Sequence, residues 1–268
     1  MRFDTSSQAW HPVEFPIKSK NDIKLMTEWF ADSSVEIDPA IMEETKQQHK
    51  MMGDDAITAQ SIGTTPLMVL VQHLTGIENC HYFLADYTAD VEELFEFMQK
   101  KILNIAEILA EHSPAEILYL VENTSTTLIS PRQFRKYCYQ HILQCAKFLT
   151  NSGKFFVLHM CGYLKDLLKD LATLPVNGFE AFTSPPVGNT TLVDGRRECP
   201  NKCLIGGTNA VLWTKTAQEI ITQIEKDLNR LQHHRGIVIT SAGVMPPVCK
   251  PETIRSVRLW LKTYQIKV

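Results

Sequence analysis

The chain has 268 residues, 44% hydrophobic and 21% charged, an ordinary balance for a globular protein able to bury a sizeable core. Its formal net charge of −3 gives no electrostatic case for nucleic acid or an anionic membrane as partner. No run of 18 apolar residues occurs and the opening MRFDTSSQAW lacks the basic-then-apolar plan of a secretory signal, so neither a membrane span nor export is expected. Seven scattered cysteines, an odd number in a chain of this size, argue against a disulfide framework and for a reducing compartment, with cytoplasm as the expectation.

Residues 1–53 stand apart from the rest. HPVEFPIKSKNDIKLMTEWF and SSVEIDPAIMEETKQQHKMM read as loops and helices without a core strand, and the segment is taken as an N-terminal piece preceding a β/α domain over 54–268. Within that domain, AITAQSI from Ala56 reads as a strand and DVEELFEFMQKKILNIAEILAEH as a long helix. EILYLVE from Glu116 is a second strand. SPRQFRKYCYQHILQCAKFLTNSG then forms a helix with Pro131 in its first turn and Gly153 as its stop. KFFVLHM from Lys154, GFEAFT from Gly178, KCLIGGT from Lys202 and GIVITSA from Gly236 are the remaining strands. Between them lie YLKDLLKDLATL and TAQEIITQIEKDLNRLQHHRG, and KPETIRSVRLWLKTY closes the chain as a helix.

Repeated β-then-α units mean parallel strands with crossover helices, and strands that are apolar throughout mean a sheet covered on both faces. A (β/α)8 barrel and a doubly wound sheet both satisfy that pattern. Neither G-x-G-x-x-G nor G-x-x-x-x-G-K-[ST] occurs, which removes support for the nucleotide-binding open sheets. Six strand–helix units are visible, two short of a barrel.

The chemistry-bearing residues sit where strands end. His159 and Cys161 are two apart, the spacing that puts side chains on one side of a strand. Imidazole and thiolate are zinc ligands, and catalytic zinc takes three protein ligands and keeps one position open. The competing reading is a packed cysteine beside a hydrogen-bonded histidine. Glu122 ends LYLVENTS, Glu180 lies inside GFEAFTSPP, and Cys249 lies in SAGVMPPVCKP after the last strand. Glu122 is weighed against a turn-capping role, and Glu180 needs a partner if it is buried. Cys199 and Cys203 (CPNKC) and His233-His234 also have metal-like spacing, but a packing role and a helix C-terminus are the stronger readings there.

The order of these motifs resembles the uroporphyrinogen decarboxylase superfamily, which includes corrinoid-dependent methyltransferases. The resemblance is carried by GIENCHYFLADYTADVEELFEFM, LVENTSTTLISPRQFRKYCYQHI, GKFFVLHMCGYLKDLLKDLATLPVNGFEAFTSPPVGN, CLIGGTNAVLWTKTAQEI and GIVITSAGVMPPVCKPETIRSV, over roughly residues 50 to 265. It implies a (β/α)8 TIM barrel whose N-terminal strands are missing here. The H-x-C-G motif is similar to that of the methylcobamide:coenzyme M-type methyltransferases, in which an H-x-C pair and a later cysteine hold zinc.

That resemblance implies His159 and Cys161 as metal ligands. Val244 stands at the register of the third, so that Cys249, five residues on, or a carboxylate such as Glu122 would complete the set. The implied reaction is zinc-dependent methyl transfer between a corrinoid carried on a partner protein and a thiol or other small substrate, in either direction. Two alternatives remain. One is a metal-independent decarboxylase of tetrapyrrole biosynthesis, with Glu122 and Glu180 as catalytic residues; the other is a non-catalytic partner subunit. Missing strands would leave open sheet edges, so an oligomer that covers them is also expected.

Overall fold

The computed structural model describes residues 1–5 and 9–268, which group into two compact units. The first comprises Met1–Glu122 and Arg132–Phe156, and the second Asn123–Pro131 and Val157–Val268.

The first unit begins with an antiparallel hairpin of β1 (Arg2–Asp4) and β2 (Ala9–His11), where Phe3 faces Trp10 with ring centroids 5.3 Å apart. Such short strands carry too little alternation to be read from sequence, and the hairpin is an addition to the helices and loops expected there. Helix α1 (Lys20–Asp32) starts at Ser19, whose side chain accepts the Asp22 N–H, and buries Ile23 and Thr27. Helix α2 (Pro39–Met52) starts at Asp38, which accepts the Ala40 and Ile41 N–H groups; none of its residues is buried.

Strand β3 (Ala59–Gly63) leads to α3 (Pro66–Val69), which runs into a π turn over Leu70–Leu74, and to α4 (Ile77–Asp86). Helix α5 (Thr88–His112) then crosses to β4 (Ile117–Val121). It buries Val91, Leu94, Phe95, Met98, Ile102, Ala106 and Leu109, one apolar stripe at helical spacing. Each large member of that stripe stabilises the fold by about 2 kcal/mol. After β4 come α6 (Pro131–Gln133), a second π turn over Phe134–Cys138, whose Tyr137 meets Phe95 of α5 edge-on, and α7 (Tyr139–Leu149), which packs on α5. Strand β5 (Phe155–His159) starts in this unit, where the Phe155 N–H donates to the Glu116 carbonyl at 2.9 Å.

The second unit takes the rest of β5, then α8 (Leu168–Thr173), β6 (Gly178–Phe182), α9 (Leu192–Glu198) and β7 (Cys203–Gly207). Helix α10 (Ala217–Asn229), β8 (Ile237–Thr240) and α11 (Pro251–Thr263) complete it. Thr191 with Asp194 and Thr216 with Glu219 form reciprocal capping boxes that start α9 and α10. Helix α9 has seven residues, too few to show a period, and only its capping box marks it in the sequence.

Strands β3 to β8 are parallel and follow one another in sequence order in a six-stranded sheet. Strand–helix alternation with parallel pairing is the pattern of a (β/α)8 barrel short of two strands. Every one of the six strands has a residue of positive φ at its end or within three residues of it. These are Gly63, Asn123, Gly162, Ala181, Gly206 with Gly207, and Ala242 with Gly243. Three of them, Asn123, Ala181 and Ala242, carry a Cβ in the left-handed region, a cost of about 1–3 kcal/mol that marks functional turns more often than ordinary ones. No described helix is long and apolar enough to cross a membrane.

Candidate active site

The carboxyl end of β5 carries His159 as its last residue, with Cys161 just beyond. In the parallel ladder His159 lies opposite Glu180 of β6. This register lets the imidazole Nδ1–H donate to Glu180 Oε2, and the Met160 N–H donates to the Glu180 carbonyl at 2.8 Å. The same imidazole hydrogen-bonds Cys161. The two side chains expected to share a pleat therefore meet, although the strand stops before the cysteine.

The Cys161 hydrogen bond, and after it the Glu180 bond, push His159 up to about 9 against the opposing effect of burial. At neutral pH the ring is an imidazolium held between sulfur and carboxylate.

The turn after β4 supplies the sulfur's other partner. The Cys161 Sγ–H donates to Asn123 Oδ1 at 3.1 Å, while the Asn123 N–H donates to the His159 carbonyl at 3.1 Å. Ser125 Oγ accepts the Tyr163 N–H at 3.0 Å, and the Thr126 N–H donates to the Tyr163 carbonyl at 3.0 Å. Gly162 has φ +127°, and a Cβ there would come within 2.7 Å of the Ser125 Cβ, so only glycine allows the two turns to approach this closely. Residues 123–126 and 161–163 thus brace the cysteine from both sides.

The remaining expected residues are dispersed. Glu122 is fully buried in the first unit. Cys249 lies in the loop between β8 and α11, half-buried, its Sγ–H directed at the Lys250 carbonyl. Val244, at the register of the expected third cysteine, is 69% exposed. Among the described residues no three His, Cys, Asp or Glu side chains gather as a metal-binding group. Cys199 is buried with its thiol against the Leu168 carbonyl, and burial raises it to about 11. His234 is buried, its Nε2–H donating to the Leu228 carbonyl of α10 at 3.0 Å and its Nδ1 accepting the Lys267 N–H. Both hold structure.

Sequence reasoning missed Asn123. The only signal was an asparagine directly after a strand, a residue tolerant of positive φ.

Two comparisons bear on this arrangement. The family described as uroporphyrinogen decarboxylase (URO-D) matches residues 16–264, nearly the whole chain. The chain belongs to the URO-D family. Its fold is similar to that of a solved methyltransferase from Methanosarcina mazei, with a TM-score of 0.68 at 17% identity. That likeness covers 84% of this chain and 64% of the other, so the URO-D chain described here spans under two thirds of that protein. No curated protein matches it.

Proposed function

We propose that this URO-D family member is a methyltransferase that passes a methyl group between a corrinoid carrier protein and a small thiol or related substrate, using zinc held in part by His159 and Cys161. The observation that carries the reading is the imidazole of His159, tied to Glu180 through Nδ1 and standing against Cys161. A carboxylate behind a ligating histidine fixes its tautomer and raises its basicity, and with Nδ1 committed to Glu180 the other ring nitrogen is the one that would exchange its proton for a metal. The donors therefore fit two positions of a catalytic zinc.

The third donor does not pre-assemble among the described residues; Cys249, in the loop after β8, is our candidate for it. When bound, such a metal supplies Lewis acidity, ionising a thiol at the open position. The chain's own residues orient the imidazole through Glu180 and hold the sulfur through Asn123. A thiol or other small molecule is then the substrate, and the corrinoid protein is a partner.

The test is elemental analysis of protein purified without chelator. About one zinc per chain is expected, lost in His159→Ala and Cys161→Ala. A folded wild-type protein that neither contains nor takes up zinc sinks the reading.

The lack of a gathered three-donor set among the described residues favours one rival, a metal-independent decarboxylase. Turnover of uroporphyrinogen that is indifferent to chelator would select it.

A further inference from the structure

We infer that the cleft between α5 and α7 binds a small primary amine, whose ammonium group donates to the side-chain oxygen of Gln99 at its floor. The cleft has a volume of about 340 Å³ and is lined by Glu96, Gln99, Lys100, Leu103, His141 and Gln144, all in the first unit. That is the size of a site for a small ligand. Glu96, Lys100 and Gln144 are exposed and form its rim. The π turn over Phe134–Cys138 runs into α7 just before His141, a distortion often found at functional sites.

The floor is left incomplete. Gln99 is only 4% exposed, and its Nε2 donates to the His141 carbonyl at 3.1 Å and to Cys145 Sγ at 3.7 Å. A carbonyl can only accept, so the orientation of the amide is set, and Oε1 is left buried with no partner. The His141 ring bonds the Tyr137 carbonyl, and its Nδ1 is likewise buried without a partner. Burial keeps this ring neutral, so with its one N–H given to Tyr137 the Nδ1 offers a lone pair. Buried side-chain polar atoms are nearly always paired, and here two orphans line one cleft.

Both orphans need donors. A hydroxyl has one to give and an ammonium has three, while an anion would set acceptors against acceptors. The Glu96 carboxylate supplies the countercharge at the rim, and the cleft's own cation, Lys100, stands over the Phe97 ring, 4.7 Å from its centroid. Leu103 offers apolar contact to a short alkyl chain. Neither orphan atom meets solvent as the side chains stand, so a ligand enters when an exposed rim side chain, Lys100 or Gln144, swings aside.

The test uses the full chain at neutral pH, with n-propylammonium chloride as probe and long-range 1H–15N NMR of the His141 ring as readout. Saturable binding at millimolar concentrations is expected, with a shift of Nδ1. Tetramethylammonium has the same charge and no N–H, and n-propanol has the same chain and one donor; each is expected to bind about tenfold more weakly or worse. Gln99→Met, similar in length and without the oxygen, is expected to weaken propylammonium binding by about tenfold or more. The absence of a saturable shift, a control binding as tightly as propylammonium, or unchanged affinity in Gln99→Met overturns the amine site. Should Gln99→Met fail to fold, the three probes on the wild-type protein decide it.

Discussion

His159 and Glu180, 21 residues apart in the chain, are joined twice: they are register partners in the β5–β6 ladder, and their side chains hydrogen-bond on the same side of it. The strand pairing that builds the sheet thus also orients the imidazole. One slip in register would turn Glu180 to the opposite face and leave His159 without its carboxylate.

Replacing that carboxylate tests what it does. Glu180→Ala is expected to lower zinc affinity by about ten- to a hundredfold, measured by competition with a chromophoric chelator. Glu180→Gln, which keeps an acceptor oxygen for Nδ1–H, recovers part of the loss. Equal affinities in all three proteins contradict an orienting role.

The proposed zinc would compete with a proton at His159. Because His159 is held up to about 9, chiefly by Cys161 and then by Glu180, the metal-free ring is protonated across the neutral range. Apparent zinc affinity therefore rises with pH up to about 9, about tenfold per pH unit for each proton displaced. The raised value also acts on the metal-free fold. Protonated His159 contributes stability that is complete below about pH 6.5, the unfolded value, and disappears as pH climbs to about 9. Denaturant titrations of wild type and His159→Gln between pH 6 and 9.5 are expected to converge as pH rises.

His141 titrates in the opposite sense. Burial pushes it down to about 4, so the folded protein keeps it neutral while the unfolded chain takes a proton near pH 6.5. Stability is lost as pH falls from about 6.5 to about 4, with no further change from this group below that. In His141→Gln this part of the acid sensitivity is expected to vanish, read from denaturation midpoints at several pH values.

Gly162→Ala is expected to destabilise the protein by about 2 kcal/mol in denaturant unfolding, since φ +127° disfavours any Cβ and the new atom meets Ser125 at 2.7 Å. Because the turn holding Cys161 is displaced, zinc affinity falls as well. A neutral substitution would show that the two turns have room to separate.

Much of this architecture was legible in the residues. The long stripe of α5 and the apolar runs of β4 to β7 announce their own type, and their alternation implies parallel pairing. What stayed hidden depends on partners distant in sequence. Glu180 reads as an acidic residue in an apolar run, and only the ladder register identifies what answers it. Asn123 acts through a turn whose geometry follows from contacts with Cys161 and Tyr163. The histidines at 233 and 234 read as a helix end, yet α10 stops at Asn229 and His234 is enlisted by Lys267, a residue that local pattern cannot bring near.

The residues of positive φ at the six strand ends have a consequence for how such a scaffold diversifies. Each one sets the heading with which the chain leaves the sheet, before the following loop contributes anything. Loops of different length and composition can therefore be exchanged downstream of these pivots without re-aiming the strands. New chemistry on this frame should arise more readily by swapping the segments after Asn123, Ala181 or Ala242 than by altering those residues themselves.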